Sequence, residues 1–158
     1  MRVEQLMTRT VQTCRPQDSL EHAAQLMWNH DCGCLPVCEG NGITRTVGIV
    51  TDRDICMSAL FQGKPLRDLP VADAMAKQLL TCAPGDSLAE VESAMREAQI
   101  RRMPVVDEDK GLVGIISIAD LAREAGGKQS GAKREITEEE ITGTLAAICT
   151  PTGSWATA

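Results

Sequence analysis

The sequence predicts a mixed α/β (α+β) fold made of two tandem strand–helix–strand–strand–helix repeats packed with pseudo-two-fold symmetry. Three observations carry that prediction. First, the chain repeats itself. Residues 3–37 and 71–105, a shift of 68, share eleven identities in thirty-five pairs, among them Val3/Val71, Met7/Met75, Cys14/Cys82, Pro16/Pro84, Ser19/Ser87 and Pro36/Pro104. Chance would give about two, and such self-similarity marks a duplicated structural unit. Second, the apolar spacing changes in the same order in each copy, from helical to strand-like and back. Third, aromatic residues are only 2% of 158 residues, so the core must be filled by Ala, Leu, Ile, Val and Met. One copy alone buries little apolar surface for stability, which favours two copies sharing one body.

The elements follow in chain order. A short strand is expected at Thr10–Cys14, with its counterpart at Gln78–Cys82. A Pro-x-Asp-Ser turn comes next, and Asp18 or Ser19, like Asp86 or Ser87, is a good N-cap for a helix. In copy one that helix carries Leu20, Ala23, Ala24 and Met27 on one face; in copy two it carries Leu88, Val91, Met95 and Ala98. Two apolar strands joined by a tight turn follow: Leu35–Cys38 and Thr46–Val50 around Gly40-Asn-Gly42, then Met103–Val106 and Leu112–Ile116 around Asp109-Lys-Gly111. Glycine suits such turns because it accepts positive φ. A last helix starts at Thr51 or Ser117. After a two-residue length difference the match resumes at a shift of 66, aligning Gly48-Ile-Val-Thr-Asp-Arg-Asp54 with Gly114-Ile-Ile-Ser-Ile-Ala-Asp120.

The organisation expected is repeat one over residues 1–61, a linker at 62–68, repeat two over 69–125, and a tail over 126–158. The tail opens with the Gly-rich, basic stretch 126–136 and goes on to a short amphipathic helix carrying Ile141, Leu145 and Ile148. Thr137-Glu-Glu-Glu140 has capping-box spacing, and the last residues are expected to be disordered.

Charge narrows the partners. Sixteen Lys and Arg against twenty-two Asp and Glu leave −6. An acidic chain lacks the general attraction to phosphate backbones that nucleic-acid binders use, so no nucleic-acid partner is expected. No apolar run reaches the roughly 20 residues of a membrane span. The N-terminus has no apolar stretch of signal-peptide length, and the seven cysteines are odd in number and sit mostly in apolar runs. A cytoplasmic protein with reduced thiols and no membrane partner is the expectation.

Chemistry concentrates in Gly-x-x-Thr/Ser-x-x-Asp, present once per copy. At the junction of a strand and a helix, free backbone N–H groups and the helix dipole favour an anion such as phosphate. The hydroxyl of Thr51 or Ser117 adds a donor to that phosphate. The carboxylate of Asp54 or Asp120, one turn on, can accept two hydrogen bonds from a cis-diol. A ribose phosphate offers both groups, and the early glycine would let a ligand approach the strand. The same spacing also describes a plain capping box, Asp standing in for Glu. The rival signal is Cys32-x-Cys34-x-x-x-Cys38, whose thiols suggest a redox or metal sensor. Its spacing is not the usual zinc pattern, and the copy-two equivalents of Cys32 and Cys38 are Ile100 and Val106, which argues for core filling. With no P-loop, no His-Glu-x-x-His and no nucleophile–base pair, no catalysis is expected.

The tandem units, the Leu/Met-Pro-Val strand and the Gly-Ile-Val-Thr-Asp-Arg-Asp-Ile segment resemble the CBS-domain family (cystathionine β-synthase type) over about residues 1–125. The resemblance implies a paired module, often called a Bateman module, that binds adenosine-containing ligands in two clefts between the repeats and dimerises. The implied ligands are AMP, ADP or ATP, with S-adenosylmethionine or NAD as further candidates, in a regulatory or energy-sensing role towards an unknown protein partner. By position, the family's Ser/Thr and Asp fall on Thr51 and Asp54, and on Ser117 and Asp120. Its basic residue before the Pro-Val strand falls on Arg101 and Arg102; the copy-one equivalents are Gly33 and Cys34. The base-walling segments fall on Thr10 and Val11 for the Ser117/Asp120 cleft, and on Gln78 and Leu79 for the other. The Ser117/Asp120 cleft is therefore expected to dominate. A homodimer is expected, and an oligomerisation scaffold with empty clefts is the remaining alternative.

Overall fold

The computed structural model describes residues 1–40, 45–127 and 136–150. Among them are two two-stranded antiparallel sheets and five α-helices, a mixed α+β architecture. The helices are α1 (Leu20–Asn29), α2 (Asp52–Gln62), α3 (Leu88–Ala98), α4 (Ile118–Gly126) and α5 (Glu138–Cys149). The strands are β1 (Cys34–Glu39), β2 (Arg45–Thr51), β3 (Arg102–Val106) and β4 (Leu112–Ser117), with β1 paired to β2 and β3 to β4.

The chain divides into two compact units that do not follow the sequence repeats one for one. One is Thr10–Thr81 with Val106–Val113; the other is Met1–Arg9, Cys82–Val105 and the chain from Gly114 onward. Each unit thus takes a segment from the far side of the chain. In the second unit, Val3 and Glu4 donate backbone hydrogen bonds to Asp86 and Pro84, and Thr8 exchanges two with Ile115. In the first, Leu69 and Val71 pack fully buried against Leu20, Leu35, Val37 and Val50. The segment expected as a linker is structured: Gly63 closes α2 in the left-handed region (φ 61°), and Leu66–Asp68 form a 3-10 turn.

The helix starts obey the capping signals. Ser19 and Ser87, not the preceding aspartates, cap α1 and α3, accepting from the N–H of His22 and Glu90. Asp18 and Asp86 instead accept from the N–H of Arg15 and Ala83, closing the turn before the cap. The apolar stripes then face inward: Leu20, Ala23 and Met27 on α1, Leu88, Val91 and Met95 on α3.

The first strand of each repeat is the main correction. Thr10–Cys14 and Gln78–Cys82 are not strands; Cys14 and Cys82 each form a lone parallel bridge, to Val37 and Val105. Proline explains the arrest. Cys14 donates to Pro36 O and accepts from Cys38 N–H. Extending that parallel ladder backward needs a Pro36 N–H, and extending it forward needs a Pro16 N–H; neither exists. Pro104 and Pro84 flank Cys82 in the same way.

The second hairpin turn also differs in detail. Lys110, not Gly111, takes positive φ (66°). Gly111 is needed for space instead, since a Cβ there would lie 2.7 Å from the Asp107 carboxylate, which accepts its N–H. The Asn-Gly turn of the first hairpin, the Gly-rich stretch at 128–135 and the end of the chain at 151–158 lie outside the described residues.

The tail helix α5 packs on α3 and α4 within the second unit, with Ile136, Ile141 and Thr144 buried. Thr144 Oγ1 donates to the buried Glu92 carboxylate and accepts from Arg96 Nε at 3.1 Å, while Arg96 pairs with Glu92. Gln99 Nε2 donates to Ala147 O at 2.9 Å.

Candidate functional site

The two Gly-x-x-Thr/Ser-x-x-Asp motifs fold alike. Each strand ends on its hydroxyl residue in extended geometry, and a helix begins at the next residue. Thr51 Oγ1 accepts from Asp54 N–H at 3.2 Å and donates to Asp54 Oδ2 at 2.7 Å; Thr51 N–H reaches the same oxygen at 2.9 Å. For Ser117 and Asp120 the three distances are 3.3, 2.6 and 2.8 Å. Both motifs are therefore reciprocal capping boxes, worth about 0.5–2 kcal/mol each.

The copies part in their surroundings. Asp54 is half-buried, and its Oδ1 accepts no hydrogen bond among the described residues. Asp120 is buried, and its Oδ1 is held by the Arg123 guanidinium. Arg123 is a cation that the sequence reading missed; its i, i+3 spacing from Asp120 was the available signal. The matching position in copy one is Met57. The first amide of each last helix is taken by the chain before the Pro-Val strand: Ile118 N–H by Arg101 O at 2.9 Å, and Asp52 N–H by Gly33 O at 3.2 Å. In α2 the next amide, Arg53 N–H, is satisfied by Asp52 Oδ1 at 2.8 Å. In α4, no acceptor for the Ala119 N–H is found among the described residues. The backbone bond from Arg101 sets it and Arg102 beside the start of α4. Both are exposed, and the Arg101 guanidinium lies 3.8 Å from Cys149 Sγ of α5.

The glycines of the motif have a structural task. A Cβ on Gly48 would sit 2.9 Å from Met75 Sδ and Ala76 O, and one on Gly114 2.7 Å from Met7 Sδ. The close approach they permit is that of the chain's own segment, not of a ligand. Ala76 exchanges two hydrogen bonds with Ile49, so Gln78 and Leu79 follow a segment tied to the strand that ends at Thr51. Thr10 and Val11 follow Thr8 in the same fashion, after its pairing with Ile115. Thr10 and Gln78 are exposed, Val11 and Leu79 half-buried.

The cysteine cluster shows no metal centre. Among the described residues no three His, Cys, Asp or Glu side chains gather in a way that could hold an ion. Cys34 and Cys38 are buried and Cys32 half-buried. Burial pushes the Cys38 thiol above its ordinary pKa, and burial with a nearby aspartate pushes Cys14 and Cys82 up to about 12. These are neutral, packed thiols. Among the described residues no helix is long and apolar enough to cross a membrane.

Comparison with known proteins bears on both repeats. The chain is 38% identical over 120 residues to the CBS domain-containing protein YhcV of Bacillus subtilis, covering 76% of this chain and 82% of that one. It is 32% identical over 146 residues to hypoxic response protein 1 of Mycobacterium tuberculosis, covering 92% of each. A crystal structure of that protein contains two coordinated zinc ions and matches with a TM-score of 0.68, covering 78% of this chain and 98% of that one. The CBS domain pair of protein MJ0100, solved with 5-methylthioadenosine and S-adenosyl-L-methionine, matches with a TM-score of 0.72 at 28% identity, covering 82% of this chain and 98% of that one. The CBS domain model itself matches residues 3–60 and again 71–127, so this chain belongs to the CBS-domain family as a tandem pair.

Proposed function

We propose that the chain is a non-catalytic regulatory module that binds an adenosine-containing nucleotide and passes the binding on as a change of conformation or assembly to a protein partner. The observation that supports this most is the duplicated hydroxyl–carboxylate pair at a strand-to-helix junction, with Arg101 and Arg102 set beside the second copy. The adenosine-containing ligands of MJ0100 point the same way. In this reading Asp54 and Asp120 accept the ribose hydroxyls. Ser117, the start of α4, Arg101 and Arg102 take the phosphate. Thr10, Val11, Gln78 and Leu79 wall the bases. AMP, ADP and ATP are the first candidates, then S-adenosylmethionine and NAD. The module acts in the cytoplasm.

The second copy is the stronger site. It has the cations, and its Ala119 N–H is not used by a neighbouring carboxylate as Arg53 N–H is in the first. Asp120 must share its carboxylate with Arg123, whose exposed guanidinium can turn to the phosphate when a ligand arrives. Melting curves with each nucleotide test the reading, because a ligand at about one hundred times its Kd stabilises the native state by about 2.7 kcal/mol. Titration calorimetry of Asp120→Ala and Asp54→Ala then assigns the site. Loss of binding chiefly in Asp120→Ala is expected. Wild-type affinity in Asp120→Ala, or no thermal shift with any of the five ligands, overturns it.

A further inference from the structure

Helix α5 lies beside α3 and runs in the same direction. Three of its contacts share one sequence offset, 48: Arg96 Nε donates to Thr144 Oγ1 at 3.1 Å, Gln99 Nε2 to Ala147 O at 2.9 Å, and Arg101 Nη2 to Cys149 Sγ at 3.8 Å. The register continues past the end of α3 and stops on Arg101, one of the two cations set beside the start of α4. All of these residues belong to one compact unit, together with Ser117 and Asp120.

The internal repeat shows that the fold itself does not demand this seat. At a shift of 68, Arg96, Gln99, Arg101 and Arg102 fall on Trp28, Asp31, Gly33 and Cys34. Gln99 and Asp31 both turn the chain in left-handed geometry, at φ 53° and 49°. Short Asn and Asp side chains are the ones enriched there, so the turn gives no reason for a glutamine. The end of α5 does. An aspartate carboxylate has no proton to offer a helix carbonyl, whereas the Gln99 amide donates to Ala147 O and, at 3.4 Å, to Thr150 O. The side chains that hold the end of α5 and the cations assigned to phosphate thus share one copy and one stretch, residues 99–102.

Two partners compete for Arg101. The carboxy end of α5 carries the negative pole of the helix and carbonyls that no further turn satisfies, and its own last turn holds no basic residue. The Arg101 guanidinium stands there against a thiol sulfur, which is a weak acceptor. A phosphate is a far stronger partner, since both groups are charged and two parallel N–H···O bonds can form. The Arg101 backbone is fixed meanwhile by its carbonyl, which accepts from Ile118 N–H, so a change of partner falls to the side chain.

We propose that α5 is an internal competitor of the nucleotide: its carboxy end and the ligand's phosphate take Arg101 in turn, so phosphate binding loosens the last turn of α5 and a docked α5 lowers affinity for phosphate. The inference rests on the nucleotide reading and names how that site is regulated. The two effects are equal by linkage, because whatever the phosphate takes from α5 the docked helix takes from the phosphate. Adenosine has the ribose and the base but no phosphate, so it makes no claim on Arg101 and leaves α5 as it is.

The test is amide hydrogen exchange of the full chain with AMP, with adenosine and with neither, paired with titration calorimetry of two variants. AMP should speed exchange at the end of α5, residues 147–150, several-fold, and adenosine should not. Gln99→Asn suits the left-handed turn but shortens the amide that holds α5, and should tighten AMP several-fold with adenosine unchanged. Cys149→Asp, at an exposed position, gives Arg101 a charged partner on α5 and should weaken AMP several-fold, again with adenosine unchanged. Binding of AMP with exchange in α5 unaltered overturns the inference and leaves the nucleotide reading standing. So does equal AMP affinity in wild type and both variants, or weaker AMP binding in Gln99→Asn, which would make α5 a support of the site and not its competitor. Should AMP, ADP and ATP all fail to bind, the nucleotide reading falls and this inference falls with it.

Discussion

Asp54 and Asp120 each hold a helix start, and in the proposed function each also holds a ribose. The first task was readable from spacing alone. A difference between them was readable too, in Arg101 and Arg102 against Gly33 and Cys34; the hold of Arg123 on Asp120 and the amide left over in the first turn of α4 emerge only in the fold. The cysteines show how burial decides chemistry at this scale. Cys14 and Cys82, 3% and 6% exposed, have thiols pushed up to about 12 from an ordinary 9.0, chiefly by desolvation. A group whose folded pKa is raised adds stability in full below its unfolded pKa and loses it as pH climbs through the folded value. The chain should therefore lose stability between pH about 9 and about 12, and Cys14→Ala with Cys82→Ala should flatten that loss, read from urea midpoints across the range. The same burial should make Cys14 and Cys82 inert to a thiol reagent at pH 8 while Cys56 and Cys149 react. Rapid modification of all seven in the native protein would contradict both expectations.

At the scale of the element, α1 and α3 were legible from an apolar face at helical spacing, the hairpins from apolar runs flanking a glycine turn, and α2 from its cap rather than from any apolar stripe, since only Ile55 of it is buried. The lead strands were misread for a reason present in the sequence but visible only in register. Pro16, Pro36, Pro84 and Pro104 lie where a parallel ladder through Cys14 or Cys82 would next need an N–H. Apolar patterning alone does not reveal which neighbour a strand will seek. Helix α5 was legible as a helix, but its docking was not. Its seat depends on Glu92 and Arg96, which at i, i+4 look like an ordinary surface pair. In the fold Glu92 is only 6% exposed and accepts from both Thr144 and Arg96. Thr144→Val keeps the shape and removes the hydroxyl donor, leaving the buried carboxylate short by one hydrogen bond. A loss of about 1–3 kcal/mol is expected by chemical denaturation. Thr144→Ser should restore most of it, whereas a wild-type midpoint in Thr144→Val would mean that Arg96 and solvent, not α5, satisfy Glu92.

For the whole molecule, the sequence repeats and the compact units are cut differently, and this bears on how the chain folds. Read as a sequence, residues 1–61 look like one complete copy. In the fold, Leu69 and Val71 complete the core around Leu20, Leu35 and Val50, and they lie beyond that copy. Val3, fully buried, serves the other unit, as does Met7, whose sulfur packs against Gly114. Each fully buried Leu or Val contributes roughly 1.5–3 kcal/mol, and a domain has only about 5–15 kcal/mol in hand. A fragment of residues 1–61 therefore lacks the side chains that close its own unit. A fragment of residues 69–158 lacks those that Met1–Arg9 supply to the second. Neither should fold alone, whereas mixing the two should restore helical signal, because the missing pieces are then present. The intact chain should unfold in one cooperative step, since each unit depends on chain from the other side of the sequence. Circular dichroism of each fragment alone and of their mixture is the measurement. A native spectrum with a sharp melt from residues 1–61 alone would show that the repeat, not the exchanged unit, is what folds.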